Sequence, residues 1–207
     1  MSADYYSNHR LKLRFPWRLY HGPILHALEG ALGGTPAGRV LNVGSGPFLE
    51  LGHLRPSAHR FTLCDIDARA MDEAQRLHGD RIERTDVVQG IALPYEDNSF
   101  DLVVSMDVIE HVPETHAWLR ELLRVVRPGG HVFLTTPNYG SWSLTWLERT
   151  ALEAIARAQG FSRRDIHPVK LDRRRLEGIL QDIGGTRADI DTISFGWVLT
   201  ASLEKRS

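Results

Sequence analysis

The chain has 207 residues, of which 42% are hydrophobic and 25% charged, a mixture typical of a folded domain and not of a disordered or low-complexity protein. Its 25 basic and 26 acidic residues give a net charge of -1, which argues against a general polyanion binder. Cys64 is the single cysteine, which excludes an internal disulfide and a cysteine-based zinc site and favours a reducing compartment such as the cytoplasm. No apolar run approaches the roughly 20 residues that span a bilayer, so no membrane span is expected.

Helical and strand-like segments alternate along most of the chain. A first helix is predicted from Pro23, because Ile24, Leu25, Leu28 and Leu32 recur on one face. The segments after it are strands at Arg39–Val43, Phe61–Cys64, 82–88, Phe100–Val104 and His131–Thr135, a helix start at Pro47, helices at Ala68–Leu77, Pro113–Val126, 144–158 and 172–182, and two short strands between Ile190 and Leu203. Alternation of this kind predicts a parallel sheet covered on both faces, with ligands bound beyond the carboxyl ends of the strands.

A glycine loop follows the first predicted strand. Gly44-Ser45-Gly46 permits a sharp turn and the close approach of a ligand. Asp65 lies 19 residues beyond Gly46, at the end of the next strand, where a carboxylate can accept both hydroxyls of a ribose. Leu49 occupies the third glycine place of the dinucleotide pattern, so a nucleoside without a pyrophosphate is the favoured ligand.

Four segments in order resemble a known family. The segments Val40–Gly46, Cys64–Asp67, Leu93–Val112 and Leu122–Asn138 are similar to motifs of class I S-adenosylmethionine-dependent methyltransferases, closest to the small-molecule group that includes quinone and natural-product methyltransferases. The resemblance covers about residues 39–138. It implies an α/β fold: a Rossmann-like, doubly wound, mostly parallel seven-stranded sheet with helices on both faces and an antiparallel last strand. It also implies S-adenosylmethionine as the cofactor.

The resemblance further implies a set of cofactor-binding residues. The loop and ribose positions correspond to Gly44, Ser45, Gly46 and Asp65, the adenine contacts to Ile66, Gln89 and Gly90, the lining residue after the fourth strand to Met106, and the loop-orienting position to Asn42. Three positions depart from the family pattern. Asn42 and Gln89 replace acids, with Asp86 as an alternative acid for adenine, and Phe48 stands where a glycine is frequent.

Methyl transfer from a sulfonium is a displacement for which the protein supplies alignment, and a hydroxyl acceptor also needs a base. The two candidate catalytic residues are His111, which follows the cofactor-lining segment, and His167. The alternative for His111 is a structural hydrogen bond that fixes its loop. No helix pair of histidines or cluster of acids has metal-ligand spacing, so no metal is expected.

The predicted organisation is an N-terminal helical cap at 1–35 and a methyltransferase domain at 36–207, with a helical insertion on the acceptor side at 139–185. The leading hypothesis is methyl transfer to a small-molecule acceptor at oxygen, with no nucleic-acid partner. The alternatives are a non-catalytic cofactor-binding partner subunit, which Asn42 and Gln89 leave open, and a nicotinamide-linked dehydrogenase, which Leu49 disfavours. Methylation of a nucleic acid or a protein fits the near-neutral charge less well.

Overall fold

Seven strands form one sheet in the computed structural model, which describes residues 18–147 and 167–206. The strands are β1 (Arg39–Val43), β2 (Arg60–Asp65), β3 (Ile82–Val87), β4 (Phe100–Met106), β5 (Val126–Pro137), β6 (Thr186–Ile193) and β7 (Val198–Lys205). Their spatial order is β3-β2-β1-β4-β5-β7-β6. The first five are parallel, and β7 runs antiparallel between β5 and β6. The predicted seven-stranded, mostly parallel sheet is thereby confirmed.

Helices cover both faces of this sheet. They are α1 (Arg18–Gly33), α2 (Ala68–His78), α3 (Thr115–Val125), α4 (Trp142–Leu147) and α5 (Arg173–Ile183). Side chains of α1 and α2, such as Leu28 and Met71, pack into one apolar cluster with Phe61 and Leu102. Side chains of α3 and α5, including Leu122, pack into a second cluster on the opposite face. Alternate residues of each buried strand therefore face different cores, as the doubly wound arrangement requires.

The chain after the glycine loop differs from the sequence-based prediction. Instead of an α-helix beginning at Pro47, it forms a short 3-10 turn at Leu49–Gly52. Phe48 adopts a left-handed conformation (φ 46°), which a continuing α-helix cannot contain. Its ring is buried and lies edge-on to Phe61, with the ring centroids 5.7 Å apart. Burial of this aromatic ring stabilises a conformation that glycine would adopt without strain.

Smaller differences concern the ends of other elements. Pro23 lies inside α1 and does not open it, and β5 begins at Val126, five residues before the predicted start of this strand at His131. The parts of the predicted cap and insertion at 1–17 and 148–166 lie outside the described residues. Among the helices that the structure describes, none is both long and apolar enough to cross a bilayer.

Candidate active site

The loop between β1 and the 3-10 turn is built around two glycines with positive φ. Gly44 has φ 68° and Gly46 has φ 53°. A Cβ at Gly44 would lie 2.5 Å from Cγ2 of Val108, so a larger residue would displace the segment after β4. The N–H groups of Gly44 and Ser45 both donate to the carbonyl oxygen of Cys64, at 2.8 and 3.2 Å. The loop is thereby fixed across the ends of β1 and β2.

Asp65, the last residue of β2, connects this loop with the next one. Its Oδ2 accepts a hydrogen bond from the Gly46 N–H at 2.7 Å, and its Oδ1 accepts one from the Asp67 N–H at 3.0 Å. The residue is partly exposed. Each carboxylate oxygen has a second lone pair, so the two oxygens can still accept the two hydroxyls of a ribose. The sequence-predicted ribose acid thus lies beside the sequence-predicted loop.

Asn42 carries an unsatisfied polar group at the same end of the sheet. It is 1% exposed, and neither Oδ1 nor Nδ2 has a hydrogen-bond partner among the described residues. Its neighbours in register on β2 and β4 are the apolar Leu63 and Val104. A buried amide without hydrogen-bond partners lowers the stability of the fold. A ligand bound at the glycine loop could supply the missing partner through one of its polar groups.

The predicted adenine side is open. Ile66 is 73% exposed, which is unusual for so large an apolar side chain, and Gln89 and Gly90 are exposed on the neighbouring loop. Gly90 has φ 80°. The alternative acid, Asp86, accepts hydrogen bonds from Arg84 and from the Tyr95 hydroxyl. Asp86 is less exposed than Gln89 and forms an ion pair with Arg84, so Gln89 is the better placed of the two for a contact with a base.

Beneath this edge lies the single cysteine. Burial raises the pKa of the Cys64 thiol to about 12, so it stays protonated near neutral pH. A protonated, buried thiol is a poor nucleophile. We therefore assign Cys64 a packing role under the loop.

The end of β4 forms the other wall. Met106 is the last residue of the strand and is half-buried against the cluster below α1 and α2. Asp107 follows in a left-handed conformation (φ 54°), and the Thr135 hydroxyl donates to its Oδ1 at 2.9 Å. This turn redirects the chain so that the next residues return along the carboxyl edge of the sheet.

The two histidines predicted as catalytic residues meet at this edge. The ring centroids of His111 and His167 are 4.8 Å apart, and the rings are nearly perpendicular. His167 Nδ1 and the Tyr139 hydroxyl share a hydrogen bond. Glu110, 1% exposed, lies beside the pair, and its Oε2 accepts a hydrogen bond from the Thr136 hydroxyl at 3.1 Å.

Sequence reasoning did not single out Glu110, Thr136 or Tyr139. Glu110 stands in the resembling segment next to His111, but its complete burial was not visible in the sequence. Thr136 and Tyr139 follow the last apolar residues of β5, where parallel sheets place ligand-binding side chains. Their place at the carboxyl end of a predicted strand is the one sequence feature that could have indicated these two residues.

Comparisons with known proteins agree with this geometry. Residues 41–134 match the family model for a methyltransferase domain. An uncharacterized methyltransferase from Mycobacteroides abscessus is 38% identical over 106 residues, which cover 50% of this chain and 40% of that protein. The malonyl-(acyl-carrier protein) O-methyltransferase of Erwinia billingiae is 35% identical over 99 residues, covering 47% of this chain and 38% of the relative. A SAM-dependent methyltransferase structure from Aquifex aeolicus shares the fold, with a TM-score of 0.63 and 16% identity over 98% of each chain.

Residues 41–134 are thus similar to methyltransferase domains, in agreement with the resemblance of the sequence motifs to class I S-adenosylmethionine-dependent methyltransferases. The cosubstrate of this family is S-adenosylmethionine. The site fits it, since an unsatisfied Asn42 amide, an Asp65 carboxylate and an exposed Ile66 surround the glycine loop. The chain spans about half the length of the curated relatives it matches, 40% and 54% in two of them.

Proposed function

We propose that this protein transfers the methyl group of S-adenosylmethionine to an oxygen atom of a small molecule. The observation that carries the proposal is the contact between the glycine loop and Asp65, whose Oδ2 lies 2.7 Å from the Gly46 nitrogen. The contact joins the Asp65 carboxylate to a turn with positive φ at the ends of two adjacent parallel strands. This is the place where open α/β sheets bind nucleosides.

The cosubstrate supplies a methyl group that is already activated by the sulfonium. In our proposal Asp65 accepts the ribose hydroxyls, Ile66 packs on one face of adenine, and Gln89 binds the adenine edge. Gly90 permits close approach there, and Met106 lines the methionine side. In this arrangement the apolar side chains of Ile66 and Met106 exclude water from the bound cosubstrate.

Asn42 completes this arrangement at the loop. Its amide offers both a donor and an acceptor, so in our proposal it binds the polar end of the cosubstrate's methionine part. A carboxylate at this position would bind the ammonium group through charge. An amide oxygen can accept a hydrogen bond from the ammonium group but carries no opposite charge, so this contact is weaker.

Two observations support an oxygen acceptor. His111 and His167 face each other at the edge next to the loop, and imidazole is the side chain most often used to activate a hydroxyl. One relative is named an O-methyltransferase. The near-neutral charge favours a small molecule over a nucleic acid, and the buried, reduced Cys64 suits the cytoplasm as the place of reaction.

Calorimetric titration with S-adenosylhomocysteine tests the proposal, with NADH titrated in parallel. We expect saturable binding of S-adenosylhomocysteine alone. Asp65→Ala should weaken it by at least about 100-fold, because two ribose hydroxyls lose charged hydrogen-bond acceptors worth about 1.5–3 kcal/mol each. Asp189→Ala, at an exposed position on edge strand β6, is the matched control and should bind like the wild type.

Two results would contradict the proposal. Unchanged affinity in Asp65→Ala would place the cosubstrate elsewhere, and binding of NADH alone would make the chain a dehydrogenase. A screen of hydroxylated small molecules with radiolabelled S-adenosylmethionine then identifies the acceptor. In that screen His111→Ala should lose turnover while keeping its affinity for S-adenosylhomocysteine.

A further inference from the structure

We propose that Glu110, His111 and His167 form a binding site for a divalent transition-metal ion of the zinc type. One ligand atom from each of the three residues lies within 4.8 Å of the other two. In a tetrahedral zinc site with bonds of about 2.0–2.1 Å, neighbouring ligand atoms are about 3.4 Å apart. Small rotations of the two imidazole rings would close the remaining distance.

The backbone already holds these residues together. The Val169 N–H donates to the carbonyl oxygen of Glu110 at 3.1 Å, and the Tyr139 N–H donates to that of Leu171 at 2.8 Å. The segment that follows His167 is therefore fixed to the 3-10 turn Ile109–His111 through Val169 and to the end of β5 through Leu171. A site positioned by the backbone needs little reorganisation when an ion binds.

Two of the three proposed ligands, Glu110 and His167, are hydrogen-bonded to a second side chain, as metal ligands in proteins usually are. The Thr136 hydroxyl donates to Glu110 Oε2, and the Tyr139 hydroxyl is hydrogen-bonded to His167 Nδ1. With Nδ1 bonded to Tyr139, the metal would bind Nε2, and in that tautomer the Nδ1–H would donate to the Tyr139 oxygen. Partners of this kind orient metal-binding imidazoles and carboxylates in proteins.

The charge and the donor types indicate which ion would bind. Glu110 is 1% exposed, and a carboxylate so deeply buried is stable only with hydrogen bonds, a cationic partner or a metal ion. Two imidazoles and one carboxylate favour Zn²⁺ or a similar first-row ion, whereas Mg²⁺ and Ca²⁺ prefer oxygen ligands throughout. Three protein ligands leave at least one coordination position open.

The open position has a use that rests on the proposed function: as ligands, the two histidines would activate the acceptor hydroxyl through the bound ion and not as bases themselves. Val108, between Met106 and Glu110, packs against Gly44 of the cosubstrate loop, so the cluster lies on the same edge as the methyl donor. An acceptor hydroxyl bound there would lose its proton to solvent more readily, as metal-bound water does. The oxygen then forms the new bond to the methyl carbon, the carbon–sulfur bond breaks, and neutral S-adenosylhomocysteine leaves.

The experiment uses the full chain, freed of metals with a chelator that is then removed. Titration with Zn²⁺ should show one ion bound per chain, and Co²⁺ should give visible d–d absorption typical of low coordination number. His111→Ala and His167→Ala should each weaken Zn²⁺ binding by more than about 100-fold, and Tyr139→Phe by about 10-fold through loss of an outer partner. His116→Ala is the matched control, since this partly exposed histidine faces Asp182 on α5 and lies outside the cluster.

Binding of S-adenosylhomocysteine by every variant confirms that each one folds and separates this test from that of the methyltransferase activity. Glu110→Gln keeps the shape of the buried side chain and should also lose Zn²⁺ binding. A wild-type chain that binds S-adenosylhomocysteine but no Zn²⁺ would overturn the metal site and leave the proposed function standing. Equal Zn²⁺ affinity in wild type and His167→Ala would overturn it too, because the ion would then bind elsewhere.

Discussion

Gly44 is the residue at which backbone conformation and packing constrain the site most. Its φ of 68° is one that side chains other than glycine adopt at a cost of about 1–2 kcal/mol. A Cβ would also meet Val108 at 2.5 Å. Both effects act on the loop that we propose binds the cosubstrate, so stability and binding should change together.

We therefore expect Gly44→Ala to lower the free energy of unfolding by about 1–3 kcal/mol and to weaken S-adenosylhomocysteine binding by at least about 10-fold. Urea denaturation and calorimetry measure the two effects. Gly178→Ala is the control, because Gly178 lies in α5 and an added Cβ would have no neighbouring atom within 4 Å. The free energy of unfolding of this variant should be about 0.5–1 kcal/mol higher than that of the wild type. A Gly44→Ala protein as stable and as tight-binding as the wild type would contradict the described loop.

A second prediction at the scale of the residue concerns Asn42. Asn42→Leu keeps the size of the side chain and removes two buried polar atoms that lack partners in the described residues. The ligand-free protein should gain about 1–3 kcal/mol in free energy of unfolding, while its affinity for S-adenosylhomocysteine should fall. Asn42→Asp, which buries a charge among Leu63 and Val104, should instead destabilise the ligand-free protein. Asn42→Leu without a change in either quantity would mean that water satisfies the amide.

At the scale of elements, the start of α2 connects helix stability with the site. Asp67 is its N-cap, and its Oδ1 accepts a hydrogen bond from the Arg69 N–H at 2.9 Å. The Asp67 N–H donates in turn to Asp65. The cap therefore orders the turn that carries Asp65, the proposed ribose-binding residue.

Asp67→Ala should cost about 1 kcal/mol at neutral pH, and Asp67→Asn much less, because asparagine is an equally good cap. Hydrogen bonding from Arg69 lowers the pKa of Asp67 below the ordinary value of 3.8. The stability that its charge contributes is thus present above about pH 3.8 and is lost as the pH falls through the folded-state pKa. Urea denaturation across this pH range, with exposed Asp72→Ala on the same helix as control, measures the effect. A pH-independent difference would show that charge does not contribute.

At the scale of the whole molecule, one sheet separates two apolar cores. Ile82 on β3 belongs to the cluster below α1 and α2, whereas Ile179 on α5 and Ile190 on β6 belong to the opposite cluster. Residues on opposite faces share no contacts, so their contributions to stability should be independent.

Ile82→Val and Ile179→Val should each lower the free energy of unfolding by about 0.5–1.5 kcal/mol, and their double variant by the sum within about 0.5 kcal/mol. The Ile179→Val and Ile190→Val pair lies in one cluster and is expected to deviate more from additivity. Equilibrium urea denaturation of the wild type and the five variants measures these effects. Strong coupling across the sheet would contradict the separation of the two cores.

The individual positions show which features the sequence predicts well. Arg39–Val43, the loop at 44–46 and Asp65 follow from short-range pattern, because strand propensity, a glycine pair and a carboxylate at the next strand end are all local signals. The helix predicted from Pro47 is wrong for the converse reason, which concerns Phe48. Its left-handed conformation is stabilised by burial against Phe61, and a tertiary contact of this kind outweighs the local preference for a helix after Pro47.

By itself, then, the sequence determined the alternating α/β class, the similarity to methyltransferases and the position of the glycine loop, because these depend on periodicity and on motifs within a few residues. Only the tertiary structure brought His167 against His111 and placed Glu110, Thr136 and Tyr139 around them. It also decided that Asn42 is buried without a described partner and that Asp86 is engaged by Arg84 and Tyr95. The physical reason is that contacts between residues distant in the chain depend on how the strands are ordered and packed, and no local pattern encodes that.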